Sequence, residues 1–421
     1  MDRIYNPMHH VARGNFFAVL LGILMLFLFA NASGHLPKAN NNKEKMMNGL
    51  TVINARQNVD LRNSAYLPFT IRFKGESLWR ESTSLTTNPV AAEQIAICGN
   101  TLIISYNGGI VESRDRSSGK SNWLYGRNPR SRLNVTGDGI EVISSEGAYS
   151  LLKFDHSLSN GIRVPFTGGN SLFYIDFKEQ EMRYCFQIFP KQTSGPDDPV
   201  KGPSFEYVRY LRDKNTFPFV YDGAGFLLDV LHDEKKDRLC IVTDDAFRLL
   251  PCNAGSEHDV QILTLEKIYR ASLDPEGNIV AVLREKNDEK GNAKPAGLAR
   301  LDAHGSPVWF CPVDSPQTVI QPPAAMSPDL TYLLVAGELW RIEKGKQIWR
   351  FELPCSWQDA RMTVLADESV LVAAGHALIQ IAKNGNEINR MITADKITCR
   401  PILDEQGNIY IAGTGVVMCL K

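Results

Sequence analysis

One five-residue pattern returns at near-constant spacing along this 421-residue chain. Gly, three residues, then Trp occurs as "GESLW" (Gly75, Trp79), "GKSNW" (Gly119, Trp123), "GSPVW" (Gly305, Trp309) and "GKQIW" (Gly345, Trp349). Four of the six tryptophans occupy this one position. The first two glycines are 44 residues apart and the last two 40, and a copy without Trp, "GNEIN" at 385–389, lies 40 further on. A second pattern keeps the same period: "LDPEGNI" at 273–279 returns as "LDEQGNI" at 403–409, a shift of 130, or three steps of about 43. Self-similarity at this period means that one supersecondary unit is copied along the chain.

The unit is β-structure. From about residue 74 onward, short apolar runs such as "TLIISY", "NIVAVL", "TYLLVAG" and "NIYIAG" alternate with Gly, Asp, Asn and Pro turns, the signature of strands. "TLEKIYRAS" (264–272) comes nearest to a helical pattern. A full copy reads as an inner strand, an Asp/Gly turn, a buried strand, a Gly turn, a third strand, a polar turn ending in Gly, and a last strand bearing the Trp. Four antiparallel strands have two apolar faces that one sheet cannot bury alone. Packing copies around an axis buries both and leaves short edges, which predicts an all-β propeller. A linear solenoid would have shorter repeats, and a sandwich would show no long-range period.

The chain ends bear on the same reading. The last copy stops at Lys421, right after its third strand, while the "GESLW" copy stands without preceding strands. The strand near 77–82 is therefore expected to complete the final blade. The 186 residues between Gly119 and Gly305 accommodate four steps, with outer turns expected near Gly161, Gly255 and position 204. That spacing predicts eight blades, with seven as the alternative. "KQTSGPDDPVKGPS" (191–204) and "NDEKGNAKPAG" (287–297) read as insertions between strands.

The organisation expected is a signal segment over 1–32, a polar linker over 33–73 and a propeller over 74–421. Arg3 and Arg13 precede an unbroken apolar run, Phe16–Phe29, and Ala30 and Ala32 form an A-x-A arrangement. This is the pattern of a secretory signal peptide cleaved between Ala32 and Ser33. An uncleaved anchor is the alternative, although the run is short against the ~20 residues of a membrane span. Either way the propeller is expected outside the cytoplasm, periplasmic or extracellular, touching membrane only through that segment. With 46 basic and 47 acidic residues and no basic stripe, the chain lacks the electrostatic footprint of a nucleic-acid binder. The eight cysteines show no C-x-x-C spacing, and Cys98, Cys185, Cys240 and Cys419 sit inside apolar runs, so metal ligation is not expected.

Strand, "DxxGxx", strand, then "xxGKxxW" resembles the pyrroloquinoline-quinone-like propeller repeat of quinoprotein dehydrogenases and BamB-like envelope proteins. The resemblance covers about 75–421 and is weakest in the middle. It implies structural roles: Gly75, Gly119, Gly305 and Gly345 make tight turns, and Trp79, Trp123, Trp309 and Trp349 dock between adjacent blades. In quinoprotein dehydrogenases the quinone lies under a vicinal Cys pair, with a calcium set of Glu, Asn and Asp. This chain has no Cys-Cys dipeptide, and no cofactor or metal is expected.

No H-E-x-x-H, G-x-S-x-G or P-loop occurs, and the eight histidines are scattered. Asp233, Asp244 and Asp245 read as turn residues, "DEKKD" (233–237) as a solvated hairpin tip, and "YNGGI" (106–110) as a hairpin turn. No catalytic residue is identified. The expectation is a non-enzymatic envelope scaffold that binds a protein or glycan. The alternative is an enzyme, either a quinoprotein-like oxidoreductase or a propeller acting on polysaccharide.

Overall fold

The computed structural model describes Val52–Ile53 and residues 65–421, apart from 68, 84–89, 108, 127–133, 137–138, 144–147, 159–161, 164–170, 179–180, 189–202, 212–215, 234, 265–266, 284–285, 288–292 and 295. Ala32, Ser33 and the apolar run lie outside these residues. Among the described residues no helix is long and apolar enough to cross a membrane, and the helical elements are three short 3-10 turns: Glu257–Asp259, Pro316–Thr318 and Trp357–Asp359.

The described strands form eight sheets built on antiparallel four-stranded meanders, two of which carry a fifth two-residue strand at one edge, plus one small hairpin inserted in the fifth sheet. The first sheet comprises Ala92–Cys98, Thr101–Tyr106, Ile110–Asp115 and Ser121–Gly126. The following six span 134–163, 171–224, 227–264, 268–312, 324–352 and 360–392. The eighth combines Ile402–Leu403, Ile409–Ala412 and Val416–Leu420 with Ser77–Ser82 from the other end of the chain. Trp79 there stands opposite Cys419, and Ser82 opposite Val416. This is a β-propeller, with eight blades among the described residues. One apolar cluster runs from the seventh sheet (Leu371, Leu378) through the eighth (Ile409, Val417) to the first (Ile95, Leu102).

Burial is graded across each blade. First strands lie against first strands of neighbouring sheets, as Leu227–Asp233 does against Ile268–Leu273. Second strands such as Leu330–Val335 and Val370–Ala374 are buried throughout. Fourth strands such as Ser121–Gly126 and Glu387–Ile392 alternate between exposed and half-buried residues. Strands buried on both faces are therefore the continuous apolar runs of the sequence, and rim strands the alternating ones.

The Asp turns owe their shape to the aspartate itself. Asp404 is fully buried; its Oδ1 accepts the amides of Gln406 (3.0 Å) and Asn408 (2.8 Å), and its Oδ2 the Tyr410 hydroxyl (2.9 Å) and Asn408 Nδ2 (2.8 Å). Asp274 does the same for Glu276 and Asn278 and adds Arg300. The repeated "LD..GNI" is thus a buried carboxylate with its own backbone donors around it.

Several expectations need correction. "TLEKIYRAS" contributes the strand Ile268–Leu273, because its apolar residues face neighbouring blades on both sides. The outer turn expected near 204 lies past Leu211: Ser204–Leu211 is a third strand and the fourth begins at Thr216. Asp233 is no solvated tip residue. It is 3% exposed, accepts from Lys236 N and Arg238 Nε, and fills the space beside Gly277 of the next blade, where a Cβ would approach its Oδ2 within 2.1 Å.

The stretch read as a linker is partly built into the sheets. Val52–Ile53 pairs antiparallel with the first strand of the first sheet, and Tyr66–Leu67 pairs parallel with Ala360–Leu365, the first strand of the seventh. Residues 71–73 then pass the seventh sheet, where buried Gln380 donates to Ile71 O (2.7 Å) and accepts from Phe73 N (2.8 Å). An extended segment away from water needs such partners, and one amide side chain supplies both donor and acceptor.

Candidate functional site

The repeat residues meet the adjacent blade in each case. Trp79 Nε1 donates to Arg116 O of the first sheet (3.1 Å), and Trp123 Nε1 to Phe154 O of the second (3.0 Å). Trp309 Nε1 reaches Pro328 O of the sixth sheet (3.0 Å), and Trp349 Nε1 reaches Lys383 O of the seventh (2.8 Å). In the copy lacking Trp, Asn389 Nδ2 donates to Phe73 O (2.9 Å), so a different side chain keeps the N–H donor. Gly75, Gly119, Gly305 and Gly345 all have positive φ, from 73° to 83°. The four tryptophans thus bond across to the adjacent blade, and the four glycines occupy left-handed turns.

Most of the eight thiols are equally structural. All are free, and all but Cys355 are buried. Burial pushes the Cys240 and Cys399 thiols up to about 12, which keeps them protonated and inert near neutrality.

Cys252 has different surroundings. His232, Asp237 and Cys252 form the one group of three metal-capable side chains among the described residues, their ligand atoms all within 4.8 Å of one another. Register explains the convergence. His232 stands opposite Leu239, and Leu239 opposite Leu250. Side chains alternate along a strand, so Asp237, two before Leu239, and Cys252, two after Leu250, point to the same face as His232. Cys252 N donates to Asp237 O (2.8 Å), which extends the ladder and fixes the two residues side by side. His232 Nε2 lies 3.7 Å from Cys252 Sγ.

This face packs on the third blade, where Cys185, Phe205 and Tyr207 share an apolar cluster with Leu239, Leu250 and Cys252. At the same end of the seam, Glu181 pairs with both Arg183 and Arg209 (Arg209 Nη2 to Oε2, 2.8 Å), and Arg209 reaches Ala254 O (3.5 Å). Burial opposes ionisation of Glu181, but bonds from Arg209 and Arg183 outweigh it and hold the carboxyl below its ordinary range. The Tyr207 hydroxyl is buried and has no hydrogen-bond partner among the described residues; burial pushes its ionisation up, with opposing fields from Arg183 and Cys252. Sequence reading missed this group because its members are 5 and 15 residues apart and match no linear motif.

The other face of the third blade carries a carboxyl pair, Glu206 opposite Asp222. Burial first, then the Asp222 carboxylate, push the Glu206 carboxyl up to about 7. A folded-state value above the unfolded 4.5 contributes stability that is full below about 4.5 and lost as pH rises through about 7. Urea midpoints are expected to fall between pH 5 and 8, and Glu206→Gln to flatten part of that fall. An identical slope in the variant would rule the pair out as its source.

No protein-family description matches the sequence, and no curated protein does. Solved structures do match. Quinohemoprotein alcohol dehydrogenase from Comamonas testosteroni aligns with a TM-score of 0.56 at 12% identity, covering 87% of this chain and 80% of that one. Quinohemoprotein alcohol dehydrogenase ADHIIG from Pseudomonas putida HK5 aligns at 0.56 and 8% identity over the same shares, 87% and 80%. The computationally designed Ika8 protein aligns at 0.55 and 10% identity, covering 82% and 99%. The chain shares their propeller fold. At such identities the likeness concerns architecture, and function must be argued from the site. The vicinal Cys pair of the quinoprotein resemblance has no counterpart in this sequence, which contains no Cys-Cys dipeptide.

Proposed function

We propose that this protein is an exported, non-enzymatic propeller that holds a protein partner in the cell envelope through its rim. The observation carrying this reading is a row of exposed aliphatic side chains on the fourth strands. Leu78, Val308, Ile348 and Ile388 each sit directly before the docking position, and Ile262 stands in the fourth blade's outer strand; they are 52%, 55%, 52%, 40% and 52% exposed. Single exposed aliphatics are ordinary, but recurrence at the same position in four blades (Leu78, Val308, Ile348 and Ile388) presents the same apolar contact repeatedly; the first blade has Asn122 there. The rim strands also end their sheets and so offer an unpaired backbone edge to a partner strand. Export is supported by the signal-peptide pattern before Ser33.

The test uses full-length protein crosslinked in cells and purified from the envelope fraction. A discrete protein adduct is expected, lost when Val308 and Ile348 are both replaced by Lys with thermal stability retained. Quinone absorbance in the purified protein would overturn this reading in favour of the oxidoreductase to which the fold likeness points. A glycan as the captured species would equally overturn the protein partner.

A further inference from the structure

The geometry points to a transition-metal site at the seam between the third and fourth blades, with Cys252 Sγ, His232 Nε2 and the Asp237 carboxylate as ligands and zinc(II) as the ion. The site is independent of the rim and of any partner bound there.

Donor chemistry selects the ion class. One thiolate, one imidazole and one carboxylate form a mixed S, N, O set, which suits zinc; magnesium and calcium take oxygen sets. The separations fit a single centre. Zinc–sulfur and zinc–nitrogen bonds of ~2.3 and ~2.05 Å at a tetrahedral angle place S and N about 3.6 Å apart. Here Cys252 Sγ and His232 Nε2 are 3.7 Å apart, and Asp237 completes a triangle within 4.8 Å.

The three ligands stand at one end of three adjacent strands: His232 lies within Leu227–Asp233, Asp237 is the turn residue directly before Arg238–Thr243, and Cys252 is the turn residue directly after Ala246–Pro251. Asp237 has a positive φ of 45°, a conformation Asp tolerates better than most residues. The neighbouring lysines are turned to the next blade: Lys235 Nζ bonds Pro275 O (2.5 Å) and Lys236 Nζ bonds Gly277 O (3.2 Å). On the other side of the seam, Arg183 and Arg209 are offset by their shared partner Glu181. The cations nearest the site are therefore occupied elsewhere.

The buried Tyr207 hydroxyl supplies a second observation. It sits in the same packed cluster as Cys252 and lacks a partner among the described residues. Three protein ligands leave one tetrahedral position for water, which would add a polar group to the cluster in which that hydroxyl is unpaired.

The probe is cobalt(II), which takes tetrahedral zinc sites and reports thiolate ligation by a near-ultraviolet charge-transfer band. Reduced full-length protein, stripped with chelator, is titrated with cobalt and then zinc. The expected result is saturation at one equivalent, a thiolate band and intense tetrahedral visible bands, all erased by one equivalent of zinc. Cys252→Ser is expected to abolish the thiolate band. His232→Gln and Asp237→Asn are expected to weaken binding by more than the roughly 10–100-fold lost with an outer-shell partner. Cys355→Ala, the half-buried thiol elsewhere, is expected to change nothing. Circular dichroism of each metal-free variant separates ligand loss from misfolding, and zinc protection of Cys252 from alkylation in the unsubstituted chain needs no variant. Absence of saturable binding, a thiolate band surviving in Cys252→Ser, or loss of the band in Cys355→Ala each overturns the assignment and leaves a Cys–His hydrogen bond.

Discussion

Replacing Gly119 by alanine is expected to destabilise the protein by about 2–5 kcal/mol, measured as a drop in urea midpoint. Two costs combine. Gly119 has φ +73°, and a Cβ in left-handed backbone costs ~1–2 kcal/mol. The added methyl also meets the Trp79 ring, with Cε3 at 2.5 Å and Cζ3 at 2.7 Å, and overpacking of this kind costs ~1–3 kcal/mol. The first term belongs to Gly119 alone, and the second to its pairing with the preceding blade. A double-mutant cycle separates them, since Gly119→Ala in a Trp79→Ala background should retain only the backbone cost. Gly255→Ala, at ordinary φ with open space around it, is the control and should be near neutral. An effect of Gly119→Ala that is the same with and without the Trp79 ring would remove the close-packing account.

Arg114→Met is expected to cost about 3–5 kcal/mol, the range for removing one partner of a buried ion pair. Arg114 and Glu112 lie two residues apart on one strand and so on one face, with side chains 2% and 0% exposed. Arg114 Nη2 is 2.9 Å from Glu112 Oε1, and the Tyr106 hydroxyl donates to Glu112 Oε2 at 2.6 Å. The guanidinium also bonds Gly119 O and Ser82 O, both at 2.8 Å. Ser82 belongs to the N-terminal strand of the eighth sheet, so one side chain ties that strand to the first sheet. Methionine removes the charge that offsets Glu112 and both carbonyl bonds. Arg114→Lys keeps the charge without the planar fork and should fall between the two. Adding Glu112→Gln to Arg114→Met should recover part of the loss by removing the buried charge. A cost below ~1 kcal/mol for Arg114→Met, the level of an exposed pair, would show that the network does not hold this seam.

Much of the architecture was legible because a repeat must restate its local chemistry in every copy. "LD..GNI" shows the turn because Asp404 and Asp274 fold their own backbone donors around them. "GxxxW" shows the seam because Gly119 and Trp79 must fit each other across it. The middle blades were harder. The third blade has no such motif, and spacing alone puts its outer turn near 204 instead of beyond Leu211. The metal-capable group had no linear trace, since none of its members carries a motif.

The residue order by itself determined that the chain is an all-β propeller, that eight blades fit its length, and that Ser77–Ser82 pairs with the last strands. Each of these follows from patterns within one or two strands and from period. Tertiary structure alone decided that Val52–Ile53 and Tyr66–Leu67 occupy the free edges of two blades, that Gln380 serves residues 71–73, and that His232, Asp237 and Cys252 share one face. These depend on cross-strand register, and a one-residue slip moves a side chain to the opposite face. Register is set by bulges, such as that between Leu227 and Asp229, and by packing against the neighbouring blade. Neither leaves a local mark on the residues that it brings together.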